Sequence, residues 1–179
     1  MKPAPVTLPT LCVQRIGHQL AARIVGAGET ALLAEPLLGL IASRECPGHV
    51  LLETLDLVPE WVKAGRVIVS GFHSPLEQQV LRSLLRRQGR AVKVLARGLG
   101  DPYADYRPTL EEREPLASGR MLIISAFAHD VARTTRATAL ARNRLVLALA
   151  TDIVVPHVDA GSPLEPLVAE YQKQRAAVE

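Results

Sequence analysis

Two tetrapeptides in this chain are identical, Ser74-Pro75-Leu76-Glu77 and Ser162-Pro163-Leu164-Glu165. Serine, then proline, then glutamate at the third helical position is the pattern of a helix start. The hydroxyl accepts from the N3 amide, proline sits where no N–H is needed, and the carboxylate reaches back to the N-cap amide. A helix start also presents unpaired N–H groups at the positive end of its dipole, which favour phosphates and carboxylates. Each tetrapeptide therefore reads as a cap and as a candidate anion seat. The two readings compete, because a glutamate at N3 occupies the positive end that an incoming anion would use.

Similar chemistry recurs where apolar runs end. Ser43-Arg44, Ser70-Gly71-Phe72-His73 and Arg97-Gly98 each follow a stretch rich in Val, Ile and Leu, Ser74 closes the second of these turns, and Gly161-Ser162 opens the second tetrapeptide. One Arg at a strand end is ordinarily a solvated charge, but guanidinium and hydroxyl groups on several loops can converge on one anion. Arg133-Thr134-Thr135-Arg136 leads into Arg142-Asn143-Arg144, four arginines within twelve residues and no acid among them. That cluster is either a basic ligand surface or the solvated face of a helix.

Other chemistries find no pattern. Cys46 and His49 make half of a metal spacing without a second half, and His18, His129 and His157 have no partner spacing, so no metal is assigned. Gly26-Ala27-Gly28 begins a dinucleotide fingerprint and does not complete it, the P-loop is absent, and Ser70-Gly71 lacks the G-x-S-x-G of a nucleophile elbow. No cofactor and no catalytic residue are assigned from these motifs.

The elements that must position these residues follow from hydrophobic patterning. Residues 37–42, 66–70, 91–96, 121–125 and 152–155 are short apolar runs that predict strands, and their continuous apolarity predicts burial on both faces. Helices are expected between them, over 49–64, 75–88, 138–150 and 163–177, with a weaker one over 108–118 interrupted by Pro115. The clearest is 75–88, where Leu76, Val80, Leu81, Leu84 and Leu85 form one stripe and Gly89 supplies a stop. Pro156 ends the last strand or places it where no partner needs its N–H. Strands alternating with helices predict a single α/β domain, Rossmann-like and doubly wound, with a mainly parallel sheet flanked by helices. Its ligand crevice lies at the strand C-terminal ends, where the serines and arginines fall.

With 179 residues and 48% hydrophobic content, the chain buries one substantial core. A net charge of +3 suits a phosphate-bearing partner without requiring one. Aromatics are 3% of the chain, which argues against a protein that grips single strands mainly by base stacking. Two cysteines are too few for a disulfide framework, no run is long enough to span a membrane, and the first residues lack a secretory pattern, so a cytoplasmic location is expected.

The order of these pieces resembles the DNA-processing protein A family, whose core belongs to the LONELY GUY-related nucleotide-binding superfamily. Residues 32–44 are similar to the family's opening segment ending in G-S-R, with Ala42 where Gly is usual. Gly65 to Phe72 is similar to its strand and S-G-L turn, after which His73, Ser74, Pro75 and Glu77 replace the family's residues. Residues 142–150 are similar to its R-N-R signature, and Gly161-Ser162 falls near its S-G-S turn. The resemblance covers about residues 32–168 and divides the chain into an N-terminal segment, 1–31, packing on a Rossmann domain, 32–179. It implies a binding protein for a nucleotide or single-stranded DNA, acting in DNA processing or recombination, with Ser43, Arg44, Ser70, Gly71, Arg142, Asn143 and Arg144 at the ligand. No winged-helix extension of the kind the resemblance would allow is expected after the domain. The enzymatic alternative is a LONELY GUY-type nucleoside 5'-monophosphate phosphoribohydrolase, because Gly161-Ser162-Pro163-Leu164-Glu165 keeps a G-S/T-x-x-E spacing, with Glu165 then handling a proton or the developing positive charge and Arg142 holding phosphate. A third reading is a scaffold that self-associates through apolar surface.

Overall fold

The computed structural model describes residues 2–100 and 106–176. The chain runs β1 (Ala4–Pro5), α1 (Thr10–Ile16), α2 (His18–Ala21), β2 (Val25–Gly28), a 3-10 turn (Thr30–Ala34), β3 (Leu37–Leu40), α3 (Gly48–Lys63), β4 (Val67–Ser70) and α4 (Pro75–Arg86). It continues β5 (Arg90–Val94), α5 (Leu110–Ala117), β6 (Met121–Ser125), α6 (Arg136–Leu149), β7 (Asp152–Val154) and α7 (Leu164–Ala176). Residue 177, the last of the helix expected over 163–177, and the outer limits of the two expected segments, 1 and 179, lie outside the described residues.

The sheet order is β1-β2-β6-β5-β4-β3-β7. All five expected strands form and pair in parallel. In β3, β4, β6 and most of β5 the apolarity has the expected cause, whereas β7 is exposed to half-buried and Lys93 of β5 is half-buried. Val67, Val69, Val92, Val94, Leu122 and Ile124 face α1, α6 and α7, while Leu38, Leu40, Ile68 and Ala91 face α3 and α4 and Met121 and Ile123 pack near Leu116 of α5. Residues two apart share a face and both faces are covered. Each fully buried Leu or Ile contributes roughly 1.5–3 kcal/mol.

From β3 the chain steps to β4, β5 and β6; α6 then carries it back across the sheet to β7, beside β3. The helix after β3 packs on one face and the helix after β7 on the other. The gap between β3 and β7 is thus the topological switch point, where open α/β sheets form a crevice. β7 stops at Val154, two residues before Pro156, and pairs with β3 alone among the described strands.

The first thirty-odd residues add an antiparallel edge: β2 pairs β6, and β1 pairs β2. Glycine permits this. A Cβ at Gly28, where φ is 120°, would lie 2.3 Å from the Met121 carbonyl, and one at Gly26 would lie 2.7 Å from Val6. Arg15 of α1 donates to the carbonyls of Ala148 and Ala150 at the end of α6, capping its negative pole. Among the described residues, no helix is long and apolar enough to cross a membrane.

Candidate functional site

The strand order places the C-terminal ends of β4, β3 and β7 side by side. Ser43 clamps the switch point. Its amide donates to the His157 carbonyl at 3.0 Å, and its hydroxyl accepts from the Asp159 amide at 2.8 Å. In the same β7–α7 loop, His157 Nε2 and Asp159 Oδ1 lie 3.0 Å apart.

After β4 the chain turns sharply. Ser70 Oγ accepts from the Phe72 amide at 3.1 Å, and Phe72 is held at φ 47° with its ring buried. A bulky residue in the left-handed region carries backbone strain of order 1–3 kcal/mol, tolerated where surroundings fix the turn. They do so here through α4. Ser74 Oγ accepts from the Glu77 amide, and Glu77 Oε2 accepts from the amides of His73 at 2.8 Å and Ser74 at 3.2 Å, the capping box expected from the tetrapeptide.

Glu77 does more than cap. Its Oε1 accepts from the Ala42 amide at 3.0 Å, so a carboxylate that is 3% exposed ties the turn after β4 to the turn after β3. The positive end of α4 is therefore filled by the chain's own carboxylate. Opposite it lies Arg142, also buried, whose guanidinium covers Gly71 and donates from Nε and Nη2 to Asn143 Oδ1. Burial lowers the Arg142 pKa from its ordinary value, and the nearby Glu77 charge opposes that shift. A Cβ on Gly71 would sit 2.5 Å from Arg142 Nε, so Gly71→Ala is expected to displace the guanidinium and cost about 1–3 kcal/mol in urea unfolding.

The second tetrapeptide behaves differently. Glu165 is exposed and its Oε2 accepts from the Gly161 amide at 2.7 Å, while Ser162 Oγ is buried with no hydrogen-bond partner. α7 begins at Leu164, one residue later than the tetrapeptide predicts, so Ser162 lies ahead of the cap position and lacks the reciprocal capping bonds. Gly161, at φ 73°, gives its amide to the carboxylate, while the Ser162 amide donates to the Asp159 carbonyl at 3.1 Å.

Beyond β5, Gly98 is packed under the loop that follows β6. Its amide donates to the Val131 carbonyl at 2.9 Å, and a Cβ there would lie 2.3 Å from the Ala128 carbonyl. Ser125 Oγ donates to the Arg97 carbonyl at 2.7 Å, leaving the Arg97 side chain exposed. The structure thus brings Ser43, Arg44, Ser70 to Ser74, Gly161 and Ser162 to the ends of three adjacent strands, and sets Arg97 and Gly98 on the β5–β6 side. Within α6 it separates neighbours: Arg142 is buried, Asn143 half-buried and Arg144 exposed.

The two edges of the sheet treat arginine oppositely. At the strand N-terminal ends, Arg66, Arg90 and Arg120 are paired with Asp152, Glu35 and Glu114. On the C-terminal side, Arg44, Arg97, Arg133 and Arg136 are exposed and make no ion pair among the described residues, as does Arg144 on α6. Sequence reasoning did not find the recess of about 280 Å³ at the β5–β6 end, lined by Pro3, Arg23, Val25, Leu99, Phe127 and His129 among others. No local motif signals it, since its walls come from four separate segments. Among the described residues no three His, Cys, Asp or Glu side chains gather as a metal site.

The model of the family DNA recombination-mediator protein A matches residues 9–162. Two solved structures are similar. DNA processing protein A from Streptococcus pneumoniae is 20% identical with a TM-score of 0.69, covering 90% of this chain and 55% of that one. DNA processing protein A from Helicobacter pylori, described for its single-stranded DNA binding mode, is 23% identical with a TM-score of 0.72, covering 97% of this chain and 80% of that one. The chain spans little more than half the length of the first. No curated protein matches it.

Proposed function

The chain belongs to the DNA recombination-mediator protein A family, and from that membership we propose that the strand C-terminal edge binds the phosphates of single-stranded DNA. One observation carries the reading: among the described residues, Arg66, Arg90 and Arg120 are ion-paired with acids at one edge of the sheet, whereas Arg44, Arg97, Arg133 and Arg136 on the other side are exposed and form no ion pair. Unpaired guanidinium groups over a parallel-sheet crevice suit a polyanion. The Helicobacter pylori relative, whose structure concerns single-stranded DNA, supports the choice of polymer.

Roles divide by exposure. Arg44, His73, Arg97 and Arg144 are exposed and contact phosphate, with Asn143, Gly161 and Ser162 at the margin. Ser43, Ser70, Gly71, Phe72, Ser74, Gly98 and Arg142 are buried and shape the loops that present those groups. Glu165 is a cap in this reading, its carboxylate held by the Gly161 amide.

Fluorescence anisotropy with labelled oligothymidylate tests it. Wild-type binding should weaken as salt rises, and Arg44→Ala should lose about tenfold in affinity at low salt and lower the log–log salt slope by about 0.7. No binding at low salt, or an unchanged slope in Arg44→Ala, would refute the assignment.

A further inference from the structure

Arg44 follows β3, whereas Arg97 and Arg133 follow β5 and β6. Strands lie about 4.8 Å apart, so β3 and β6, three steps apart in the sheet, are separated by roughly 14 Å. The loops after β5 and β6 form one unit, because Gly98 donates to Val131 and has no room for a side chain beneath Ala128. That close approach sets Arg97 beside the segment carrying His129 and Arg133, with Arg136 opening α6. The recess of about 280 Å³ lies in the same place, with Val25, Leu99 and Phe127 as apolar wall and Arg23 and His129 among its lining residues. The chain has two phenylalanines. Phe72 is 4% exposed and belongs to the core, so Phe127, half-buried at the recess, is the one placed to meet a base.

We propose that a second nucleic-acid contact lies at this β5–β6 end, with Arg97, Arg133 and Arg136 holding phosphates around a recess that takes a base against Phe127. The inference rests on the reading of the edge given above and deepens it: the ligand is a strand of several nucleotides running along the sheet edge from Arg44. A nucleoside monophosphate at the switch point does not reach both ends. Charge supplies most of the affinity and one aromatic contact supplements it, in keeping with a chain that is 3% aromatic.

The test compares oligothymidylates from about two to about twenty nucleotides by anisotropy across a salt series. Affinity should rise with length until both ends are engaged. The exposed double variant Arg133→Ala/Arg136→Ala should lose at least about tenfold with the long oligomer and lower its salt slope by about 1.4, at about 0.7 per phosphate, while dinucleotide binding stays as wild type. Phe127→Leu, which keeps bulk and removes the aromatic face, should weaken the long oligomer without changing its slope. If the double variant binds the long oligomer as wild type does while Arg44→Ala still weakens it, the second contact is wrong and the reading at Arg44 stands. If wild type binds no length at low salt, both fail.

Discussion

Glu77→Ala is expected to cost about 3–5 kcal/mol in urea unfolding, the largest effect of any single substitution on the candidate site. The carboxylate accepts from three backbone amides, Ala42, His73 and Ser74, and is 3% exposed. Truncation leaves those donors without partners, of which the buried Ala42 and Ser74 amides each cost about 1–3 kcal/mol and the part-buried His73 amide less. It also removes the charge facing Arg142, itself 7% exposed and backed by Asn143. The control is Glu165→Ala, which alters the same tetrapeptide. Glu165 is exposed and meets one amide, so its loss should cost within the range of an ordinary cap, about 0.5–2 kcal/mol. Equal costs at the two positions would show that Glu77 is a cap and nothing more. DNA binding supplies a second readout: Glu77→Gln, which keeps one acceptor oxygen, should retain more of the fold yet loosen the turns that carry Arg44 and His73, weakening oligothymidylate binding.

The contrast between those two glutamates marks how far the sequence was legible. Ser74 and Glu77 identify a helix start because capping is local, its partners lying within three residues. The bond from Ala42 to Glu77 crosses 35 residues, and no local pattern encodes it. The parallel strands were readable for a related reason. A strand buried on both faces is predominantly apolar; β3 meets that condition throughout, β4 and β6 up to their terminal serines, and β5 at Ala91, Val92 and Val94, its Arg90 and Lys93 being half-buried and ion-paired. β2, Val-Gly-Ala-Gly, and β1, Ala-Pro, have the composition of turns. They become strands because β6 offers an edge and only glycine lets β2 approach it.

Register within α6 explains what the arginine cluster concealed. Arg142 and Arg144 are two residues apart, which on a helix places them on different faces. The first covers Gly71 and the second meets solvent, so one R-N-R signature contributes a structural charge and an available one. Similarly, Gln88 takes the left-handed position after α4, at φ 60°, while Gly89 donates to the Leu84 carbonyl. The expected stop is present but shared between the two residues, with the strained conformation on the non-glycine one.

Glu112 carries the other large expected effect, away from the edge loops of β3 and β4. It is 2% exposed, and its carboxylate accepts from Lys93 Nζ at 2.7 Å, the Thr109 amide at 2.9 Å and the Tyr106 hydroxyl at 3.2 Å. The arrangement pins the start of α5 to β5. Burial pushes the Glu112 carboxyl up, but the Lys93 hydrogen bond and charge, the Thr109 amide and the Tyr106 hydroxyl together hold it below its ordinary value of 4.5. A carboxyl depressed in the folded state contributes stability that is fully present above its unfolded value and is lost as pH falls through the folded one. Glu112→Gln should therefore cost about 2–4 kcal/mol near neutrality, where Lys93 is left without its counter-charge. The gap between variant and wild type should narrow as pH drops below 4.5, because wild type loses the same charge there. Tyr106 reports the network independently. Its hydroxyl is pushed up by burial and then by the charge and hydrogen bond of Glu112, with Arg97 drawing it back. In Glu112→Gln the phenol should ionise at lower pH, read as the change in absorbance titration against Tyr106→Phe. A stability gap constant from about pH 7 to about pH 3 would mean that the Glu112 carboxylate does not hold this end of the sheet.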